Sequence, residues 1–308
     1  MSELAGRRVL VTGAAGFVGA HLSARLLALG ADLRALVRPS SNLWRFRALG
    51  IAPSLIRVDL QDAPSAVKLI ADFRPHVVFH LATERDAARL EANSDCNTVV
   101  AAAVLDGAAS PDLERLVYIG SSLEVPEPTG IGVEHPHGRA KARALALIKK
   151  RGATEDLPTS LMRTHYVYGP LERTDKLIPK AIEASVTGAV LSLTPGGIRK
   201  RHVFISDLVA ACLAVLDEPA STERVYLTTA HAQYANEDLI SKMSDLVGKP
   251  IRCDIGAFQP RAFDRADWSL TAGPGETLTH WQVPTDIDQG LSACWDAWRS
   301  GWGRFDAN

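Results

Sequence analysis

The chain begins with a short apolar run that ends at a glycine and is followed by a helical repeat. Residues 8–12 are rich in apolar and β-branched side chains, which predicts a buried strand. Leucines at positions 22, 26 and 29 then recur at helical spacing, so the pattern predicts a helix from about Phe17. Strands and helices keep alternating to residue 164, which predicts a parallel sheet with helices on both faces.

The later hydrophobic patterns supply the remaining elements and divide the chain in two. Strands are predicted over residues 32–37, 55–58, 76–79, 116–119 and 159–163, and helices over residues 63–73, 86–108 and 138–150. Beyond residue 164 the alternation loosens, with helices over 177–188 and 236–247, an apolar helix ending at 216 and a strand over 225–228. We expect a doubly wound α/β domain over residues 1–165 and a smaller C-terminal lobe over residues 166–308, with some chain crossing between them.

Three glycines lie across the junction between the first strand and the first helix. Gly13 permits the tight turn, Gly16 lets a pyrophosphate approach the backbone, and Gly19 lets the helix pack closely on the strand. The free N–H groups of the first helical turn, at Phe17 and Val18, then face the phosphates. Glycine triplets also mark ordinary turns, but the position between a strand and a helix favours a Rossmann-type dinucleotide site.

Composition and charge restrict the partners and the compartment. The chain has 308 residues, 46% hydrophobic and 22% charged, and a net charge of −1, so nucleic acid is not expected as a main ligand. No apolar run reaches the length of a membrane span, and residues 1–8 leave no room for a signal peptide. The four cysteines are scattered and form no CxxC pair. We expect buried thiols in a reducing cytoplasm, without a disulfide or a metal site.

A series of motifs along most of the chain resembles the extended short-chain dehydrogenase/reductase family, of the NAD-dependent epimerase/dehydratase type. Their order and spacing together are specific, whereas no single motif is decisive. The motifs are TGAAGFVG at 12–19, VDL at 58–60, HLA at 80–82, Asn97, VYIGSS at 117–122, Lys141, RTHYVYGP at 163–170, RHVFISD at 201–207 and Trp281.

The resemblance implies the dinucleotide contacts. Asp59 and Leu60 would contact the adenine, and Ala82 and Asn97 would flank the nicotinamide side. Asp59 could alternatively cap the helix over residues 63–73, and Asn97 could be satisfied by a neighbouring carbonyl. His80 ends a strand and is better explained as a structural histidine. The family comparison adds three further cofactor contacts, namely Leu81, Lys141 and His165.

The end of the second strand bears on the choice between NAD and NADP. An NAD site usually has an acidic residue there for the ribose 2′-hydroxyl. The stretch Leu36-Val37-Arg38-Pro39-Ser40 has no acid. Arg38 would suit a 2′-phosphate, with Ser40 assisting, although it could also be a solvated surface arginine. We therefore favour NADP over NAD.

The resemblance also implies the chemistry, with one departure from the family pattern. The family moves a hydride between a sugar carbon and the nicotinamide. A tyrosine four residues before a lysine transfers the proton, and a serine or threonine after the fifth strand holds the substrate oxygen. Lys141 and Ser122 match these positions, but the residue four before Lys141 is His137.

Three explanations of His137 are open. His137 could take over the acid/base role, and the charge of Lys141 would then lower its pKa and make it a better base than acid. Glu124 could instead carry the chemistry, because it resembles the glutamate with which the family's dehydratases remove a proton beside a ketone. Finally, the site could have lost ordinary redox turnover. Glu124 could also be a solvated loop acid, and Lys141 a surface lysine.

The remaining candidates concern the substrate. Arg201 resembles the arginine that grips the diphosphate of a nucleotide sugar, and Tyr166 and Tyr168 lie where the family lines its sugar pocket, unless they pack in the core. Asp207 is expected to cap the next helix rather than touch a ligand. Lys180 and Arg199 are weaker phosphate candidates, and the late tryptophans (Trp281, Trp295, Trp298, Trp302) are expected to pack the small lobe.

The sequence therefore predicts an NAD(P)-dependent enzyme for a nucleotide-sugar substrate, which binds partly in the smaller lobe. The alternative is a non-catalytic dinucleotide-binding sensor or scaffold. The family comparison further implies a homodimer formed through the helices over residues 86–108 and 138–150.

Overall fold

The computed structural model of the protein describes residues 4–124, 135–230, 232–258 and 276–302. These residues form two compact units. The first comprises the described residues up to Thr164, together with Val209–Thr228 and residues 276–281. The second comprises the described parts of His165–Leu208, Thr229–Leu270 and Gln282–Asn308.

The first unit contains the doubly wound α/β fold that the alternation predicted. Its seven strands are β1 (Arg8–Thr12), β2 (Asp32–Val37), β3 (Ser54–Arg57), β4 (Val77–His80), β5 (Arg115–Ser121), β6 (Thr159–Thr164) and β10 (Ser221–Thr228). They are all parallel and lie in the order β10-β6-β5-β4-β1-β2-β3.

Helices follow the strands and bury the apolar faces of the sheet. The main core joins strand residues such as Leu10, Val78 and Leu116 to helix residues such as Ile70 and Val104, all of them buried. The helices are α1 (Phe17–Ala28), α2 (Trp44–Ala48), α3 (Ala63–Phe73), α4 (Ala87–Ala92), α5 (Cys96–Ala108) and α6 (Pro136–Thr154), and a short 3-10 helix covers Ser122–Glu124.

The long helix predicted over residues 86–108 is wrong, because the structure divides it into α4 and α5. Asn93 makes the break, whereas Asp86 marks the start of α4. The Asp86 carboxylate accepts from the Arg89 N–H at 2.9 Å and caps α4. The Asn93 side chain accepts from the Asp95 N–H at 3.1 Å, and the backbone at Asn93 is extended. Such bonds compete with helical ones and end the helix.

The second unit is built on short strands that the sequence pattern did not predict. One sheet has the order β11-β9-β7, and β12 pairs with β8. Three-residue strands are too short to show an alternation of apolar and polar positions. The elements are β7 (Tyr166–Tyr168), α7 (Leu177–Thr187), β8 (Leu191–Leu193), β9 (Arg199–Phe204), β11 (Gln233–Ala235), α9 (Asn236–Val247), β12 (Cys253–Ile255) and α10 (Ile287–Arg299). The helix α8 (Ile205–Ala214) begins in this unit, and its residues from Val209 belong to the first.

The late tryptophans have different surroundings. Trp302 is 2% exposed, and its Nε1 donates to the Glu172 carbonyl oxygen at 3.2 Å within the second unit. Trp298 meets it edge to face with ring centroids 5.7 Å apart. Trp281 belongs to the first unit instead, so the expectation that it packs the small lobe is wrong.

Three properties of the described residues concern membrane spans, metal ligands and cysteines. None of the helices in the described part of the chain combines the length and apolar character needed to cross a membrane. Within the same residues, no His, Cys, Asp or Glu cluster is suited to hold a metal ion. All four cysteines are free thiols, but Cys253 is only half-buried, unlike Cys96, Cys212 and Cys294.

Candidate active site

The turn after β1 leaves no room for side chains. Gly13 has a φ of 67°, and a Cβ there would lie 2.9 Å from the Ala82 amide nitrogen. A Cβ on Gly16 would lie 3.0 Å from the Gly13 carbonyl oxygen, and one on Gly19 would lie 2.8 Å from Ala14 Cα. Real Cβ atoms do not approach backbone as closely as they would at Gly13 and Gly19, and the distance at Gly16 is at the lower limit. The close packing predicted at Gly19 is therefore present.

The N-terminus of α1 is free to accept an anion. Its N-cap, Gly16, has no side chain to bond the first-turn amides, and the first turn carries no acidic residue. The N–H groups of Phe17, Val18 and Gly19 have no partner within the helix, because the first turn lacks preceding carbonyls. Together with the helix dipole, they form an end suited to phosphate.

A buried arginine that the sequence did not single out supports this turn. Arg45 is 7% exposed, and its guanidinium lies 4.3 Å above the Trp44 ring. Its Nη1 donates to the Ala15 carbonyl oxygen at 3.4 Å. The five-residue α2 is too short for its periodicity to have marked Arg45, so only the fold brings this positive charge to the glycine turn.

The glycine turn lies at the point where the sheet reverses its strand order. β1 pairs with both β2 and β4, and the later strands continue on the β4 side. The Thr12 hydroxyl joins the two strand ends, because it is 2.8 Å from His80 Nδ1 and accepts from the Ala82 N–H at 3.1 Å. Leu81 and Ala82, which follow, are half-buried. Open α/β sheets bind ligands in the crevice at such a reversal.

His80 has the structural role expected of it. Burial, with a smaller effect from the Lys141 charge, lowers the pKa of His80 to about 3. The imidazole is therefore neutral, 2% exposed and engaged with Thr12.

The residues expected at the adenosine end lie on the surface, except one. Arg38, Ser40 and Asp59 are exposed, whereas Leu60 is buried. The Asp59 carboxylate accepts from the backbone two residues further on, at 3.0 Å. Asp62 supplies the cap of α3, so the alternative in which Asp59 caps that helix is wrong.

Asn97 and His137 both bond to the backbone of Glu84. Asn97 Oδ1 accepts from the Glu84 N–H at 2.7 Å, and Asn97 Nδ2 donates to the Glu84 carbonyl oxygen at 3.3 Å. Asn97 is thus satisfied by neighbouring backbone, which is the alternative considered for it. His137 Nδ1 lies 3.3 Å from the same carbonyl. Because a carbonyl only accepts, Nδ1 carries the proton and Nε2 is an acceptor.

His137 and Lys141 lie one turn apart on α6, on the same face. Burial lowers the pKa of His137 to about 3, and the charges of Lys141 and Arg85 add to the effect. The imidazole is therefore neutral at pH 7, as predicted from the lysine beside it. Arg85 is exposed and was not singled out from the sequence.

Lys141 is a buried cation, not a surface lysine. It is 4% exposed, and its Nζ donates to the Ile119 carbonyl oxygen at 2.7 Å. The ammonium also lies 4.7 Å above the Tyr118 ring. Burial lowers the pKa of Lys141 to about 8, partly offset by Glu124. Ser122 follows β5 at the start of the 3-10 helix and is half-buried.

Glu124 is neither the solvated loop acid nor an accessible base. Its side chain is 0% exposed, and Oε1 accepts from Arg163 Nε at 3.1 Å. The carboxylate occupies the space beside Gly120, where a Cβ would lie 2.7 Å from Oε2. Burial raises the pKa of Glu124, although Arg163 and Lys141 oppose the shift. A substrate could reach this carboxylate only after it moved.

The second unit contains a small cavity of about 120 Å³. Tyr166 lines it, and the Tyr166 hydroxyl donates to Glu172 Oε1 at 3.3 Å. His165, expected on the cofactor side, belongs to this unit and is 6% exposed. The cavity is lined by Tyr166, Leu177, Ile178, Thr194, Ile198, Lys200, His202 and Asn236.

Two expected substrate residues do not line this cavity. Tyr168 is 1% exposed and packs so tightly on Gly290 that a Cβ there would overlap its ring, so it is a core residue. Arg201 Nη1 donates to the Ala230 carbonyl oxygen at 2.7 Å. On β9 its neighbours Lys200 and His202 line the cavity, and alternate strand residues point to opposite faces.

The remaining candidates are Lys180, Arg199 and Asp207. Lys180 is exposed, and Arg199 Nη1 lies 3.3 Å from an Asp238 carboxylate oxygen. Asp207 lies in the first turn of α8, and its carboxylate accepts from the Thr285 hydroxyl at 2.8 Å.

The fold, the glycine turn and the buried lysine together define a dinucleotide-binding protein of the short-chain dehydrogenase type. The chain belongs to the NAD dependent epimerase/dehydratase family, because the model of that family matches residues 9–227. The family resemblance found in the motifs is thereby confirmed.

Individual relatives extend along nearly the whole chain. The low-salt glycan biosynthesis protein Agl12 of Haloferax volcanii is 27% identical over 309 residues, which cover 94% of this chain and 97% of the relative. DesIV, a dTDP-glucose 4,6-dehydratase from Streptomyces venezuelae with NAD and TYD bound, has a similar structure, with a TM-score of 0.82, 21% identity and coverage of 97% and 99% of the two chains. The UDP-glucuronic acid 4-epimerase from Bacillus cereus, in complex with UDP-glucuronic acid and NAD, gives a TM-score of 0.82, 21% identity and 95% and 99% coverage.

Proposed function

We propose that the protein is an NAD(P)-dependent enzyme that modifies a nucleotide sugar through transient hydride transfer at a ring carbon, as an epimerase, 4-ketoreductase or dehydratase. One observation carries the proposal: buried Lys141 shares a helix face with His137 and is bonded to the strand that leads to Ser122. The family of the chain and the nucleotide-sugar enzymes that share its fold support the substrate class.

The residues present fit a nicotinamide dinucleotide. The uncapped first turn of α1 and the absence of space for a Cβ at the glycines suit a diphosphate. Arg38 and Ser40 are exposed where a 2′-phosphate would bind, which favours NADP. When bound, the nicotinamide supplies the hydride donor and acceptor. The expected contacts are Gly13, Gly16, Phe17, Val18, Gly19, Arg38, Ser40, Asp59, Leu60, Leu81, Ala82, Asn97, Lys141 and His165.

His137 and Ser122 would hold the reacting oxygen of the sugar. Ser122 would bond to this oxygen, and His137 Nε2 would accept a hydrogen bond from the hydroxyl. A pKa of about 3 keeps His137 neutral and makes it a poor acid. Lys141, with a pKa of about 8, is a group of this cluster that can exchange protons near neutral pH. Glu124 remains the second candidate for proton abstraction, provided that its carboxylate leaves Arg163.

Substrate contacts in the second unit are proposed at the cavity. Tyr166 contributes a hydroxyl there and Lys200 is another of its lining residues, which suits a phosphorylated ligand. Arg201 remains a proposed diphosphate contact, although it is bonded to Ala230.

The proposal is tested by turnover. Purified protein is incubated with UDP-linked and dTDP-linked hexoses and either NAD or NADP, and the products are separated and analysed by NMR. An epimerase yields an isomer, and a dehydratase yields a product that has lost water. A reductase is assayed separately with the corresponding 4-keto sugar nucleotide and NADH or NADPH, and it consumes reduced cofactor in an amount equal to the product. We expect conversion of at least one substrate, abolished in Lys141→Met.

A non-catalytic sensor is the second candidate, and the histidine at the position of the family's tyrosine favours it. A sensor would bind the dinucleotide tightly and turn over none of these substrates.

Substitution of His137 tests its role in turnover. We expect His137→Phe to lower kcat at least tenfold, because the substrate hydroxyl loses its acceptor. We expect His137→Tyr, which restores the family's tyrosine before Lys141, to retain or raise kcat. His135→Asn is the control, since asparagine keeps a cap acceptor for the His137 N–H. Unchanged kcat in His137→Phe would remove His137 from the mechanism.

A further inference from the structure

The Glu84 carboxylate is held firmly in its charged form. Its Oε1 accepts from the backbone N–H groups of Arg85 at 2.8 Å and Asp86 at 3.0 Å. Its Oε2 lies 3.3 Å from Arg89 Nη1 and 3.9 Å from Arg38 Nη1. Burial alone would raise the pKa of Glu84, but these hydrogen bonds and the Arg89 charge outweigh it and leave the pKa below its usual value. The carboxylate is therefore a fixed negative charge at neutral pH.

The contact between Arg38 and Glu84 crosses the crevice at the strand reversal. Arg38 follows β2 directly, and Glu84 follows β4. Since β1 lies between these two strands, the contact passes over the carboxyl end of β1, where Gly13 begins its turn. A ligand in this crevice therefore meets both side chains.

Arg38 is the movable partner of the two. The backbone of Glu84 is held by the side chains of Asn97 and His137, and its carboxylate by two N–H groups. The Arg38 side chain is 59% exposed, whereas that of Glu84 is 15% exposed. A competing anion would therefore draw the Arg38 guanidinium away and leave Glu84 in its position.

We propose that Glu84 is a specificity-determining residue that limits the preference for NADP over NAD, because it competes with the 2′-phosphate for Arg38. The inference rests on the proposed function, which supplies the dinucleotide. A 2′-phosphate gains the guanidinium only by displacing Glu84, and it then lies near a fixed negative charge. NAD has no 2′-phosphate, so it does not have to displace Glu84 from Arg38 and is not repelled by the Glu84 charge. Arg38 thus favours NADP, and Glu84 reduces the advantage.

The test is Glu84→Gln, which keeps the Oε1 acceptor for the two N–H groups but removes the charge. Dissociation constants for NADP and NAD are measured by calorimetry, without substrate. The ratio of the NAD constant to the NADP constant should rise about two- to fivefold, the range of an exposed ion pair. A change in the binding of the pyrophosphate, or in the folding of the protein, alters both dissociation constants equally and therefore cancels in their ratio.

The matched control is Glu91→Gln, which removes an exposed acid from the adjacent α4. It should leave the ratio unchanged. If Glu84→Gln does not fold, Glu84→Asp replaces it, since the shorter side chain withdraws the charge from Arg38 and should shift the ratio in the same direction.

A double-mutant cycle tests whether Arg38 mediates the effect. Arg38→Gln should lower the ratio. Adding Glu84→Gln to it should raise the ratio less than Glu84→Gln does alone, because only the repulsion by the fixed charge is then relieved. An unchanged ratio in Glu84→Gln, or an equal rise with and without Arg38, would overturn the inference while leaving dinucleotide binding intact. Wild-type protein that bound neither dinucleotide would overturn the proposed function, and this inference with it.

Discussion

At the residue scale, burial determines the chemistry of the Lys141 cluster. Lys141 and Arg163 are two cations near one buried acid, Glu124, and the Tyr118 hydroxyl donates to the Lys141 carbonyl oxygen at 3.2 Å. Burial also raises the pKa of Tyr118 well above its usual value, so it stays a neutral donor. Burial therefore disfavours the charged forms of Tyr118, Glu124 and Lys141.

The buried lysine makes stability depend on pH in a definite direction. Lys141 has a pKa of about 8 when folded, against 10.5 as the unperturbed value. Between these values the unfolded chain binds one more proton than the folded one, so stability rises with pH across that window and is constant below about 8. Wild type should gain roughly 3 kcal/mol relative to Lys141→Met between pH 7 and pH 10.5.

Urea unfolding of both proteins at the two pH values measures this difference. Other titrating groups are shared by the two proteins and cancel. A difference that does not change with pH would show that Lys141 keeps an ordinary pKa in the folded protein.

The sequence predicted only the local part of this site. The spacing of His137 and Lys141 was enough to place them on one helix face, and the charge of Lys141 was enough to predict a lowered His137 pKa. The inward position of Glu124 could not be predicted, because it depends on Arg163, which lies 39 residues away in the chain. The same holds for Glu84, whose partner Arg38 comes from another strand end.

At the scale of elements, the packing of α1 on the glycine turn leaves no space for an added side chain. A Cβ on Gly19 would meet backbone atoms of Gly13 and Ala14, which cannot rotate away. Gly19→Ala should lower the free energy of unfolding by about 1–3 kcal/mol, as overpacking does. It should also weaken dinucleotide binding, because the helix end moves from the turn.

Arg25→Ala tests the same helix at an exposed position and should change stability by less than about 0.5 kcal/mol. Denaturant unfolding and dinucleotide titration measure both effects. Gly19→Ala with wild-type stability would contradict the close packing of α1.

Elements were predictable where periodicity ran for several turns. The helices over residues 63–73 and 236–247 match α3 and α9 to the residue, because each has a clear apolar face and a definite end. The helix predicted over 138–150 is longer in the structure, since Pro136 is compatible with the first helical position. The break at Asn93 depends on a single side-chain hydrogen bond, and the three-residue strands depend on pairing with other strands. Neither can be predicted from the periodicity of apolar residues.

At the scale of the whole molecule, a ligand of the first unit should stabilise that unit. At a concentration of one hundred times its dissociation constant, a bound dinucleotide adds about 2.7 kcal/mol to the free energy of unfolding. Hydrogen exchange should slow around residues 13–19 and 80–84. ADP-ribose should act similarly, whereas free nicotinamide, which lacks the diphosphate, should have little effect.

Slowed exchange confined to the second unit would contradict the assignment of the dinucleotide to the glycine turn. Calorimetric unfolding with and without ADP-ribose provides an independent measurement of the same stabilisation.

The pairing of β10 with β6 has a consequence for how the protein is made. β10 comes from residues 221–228, after the chain has already entered the second unit. During synthesis, β6 is therefore an unpaired edge strand of the sheet until more than sixty further residues have been translated. In the complete protein the same strand is mostly buried. For that interval the growing polypeptide is open to mispairing, and a product shortened at residue 164 would keep this edge exposed permanently.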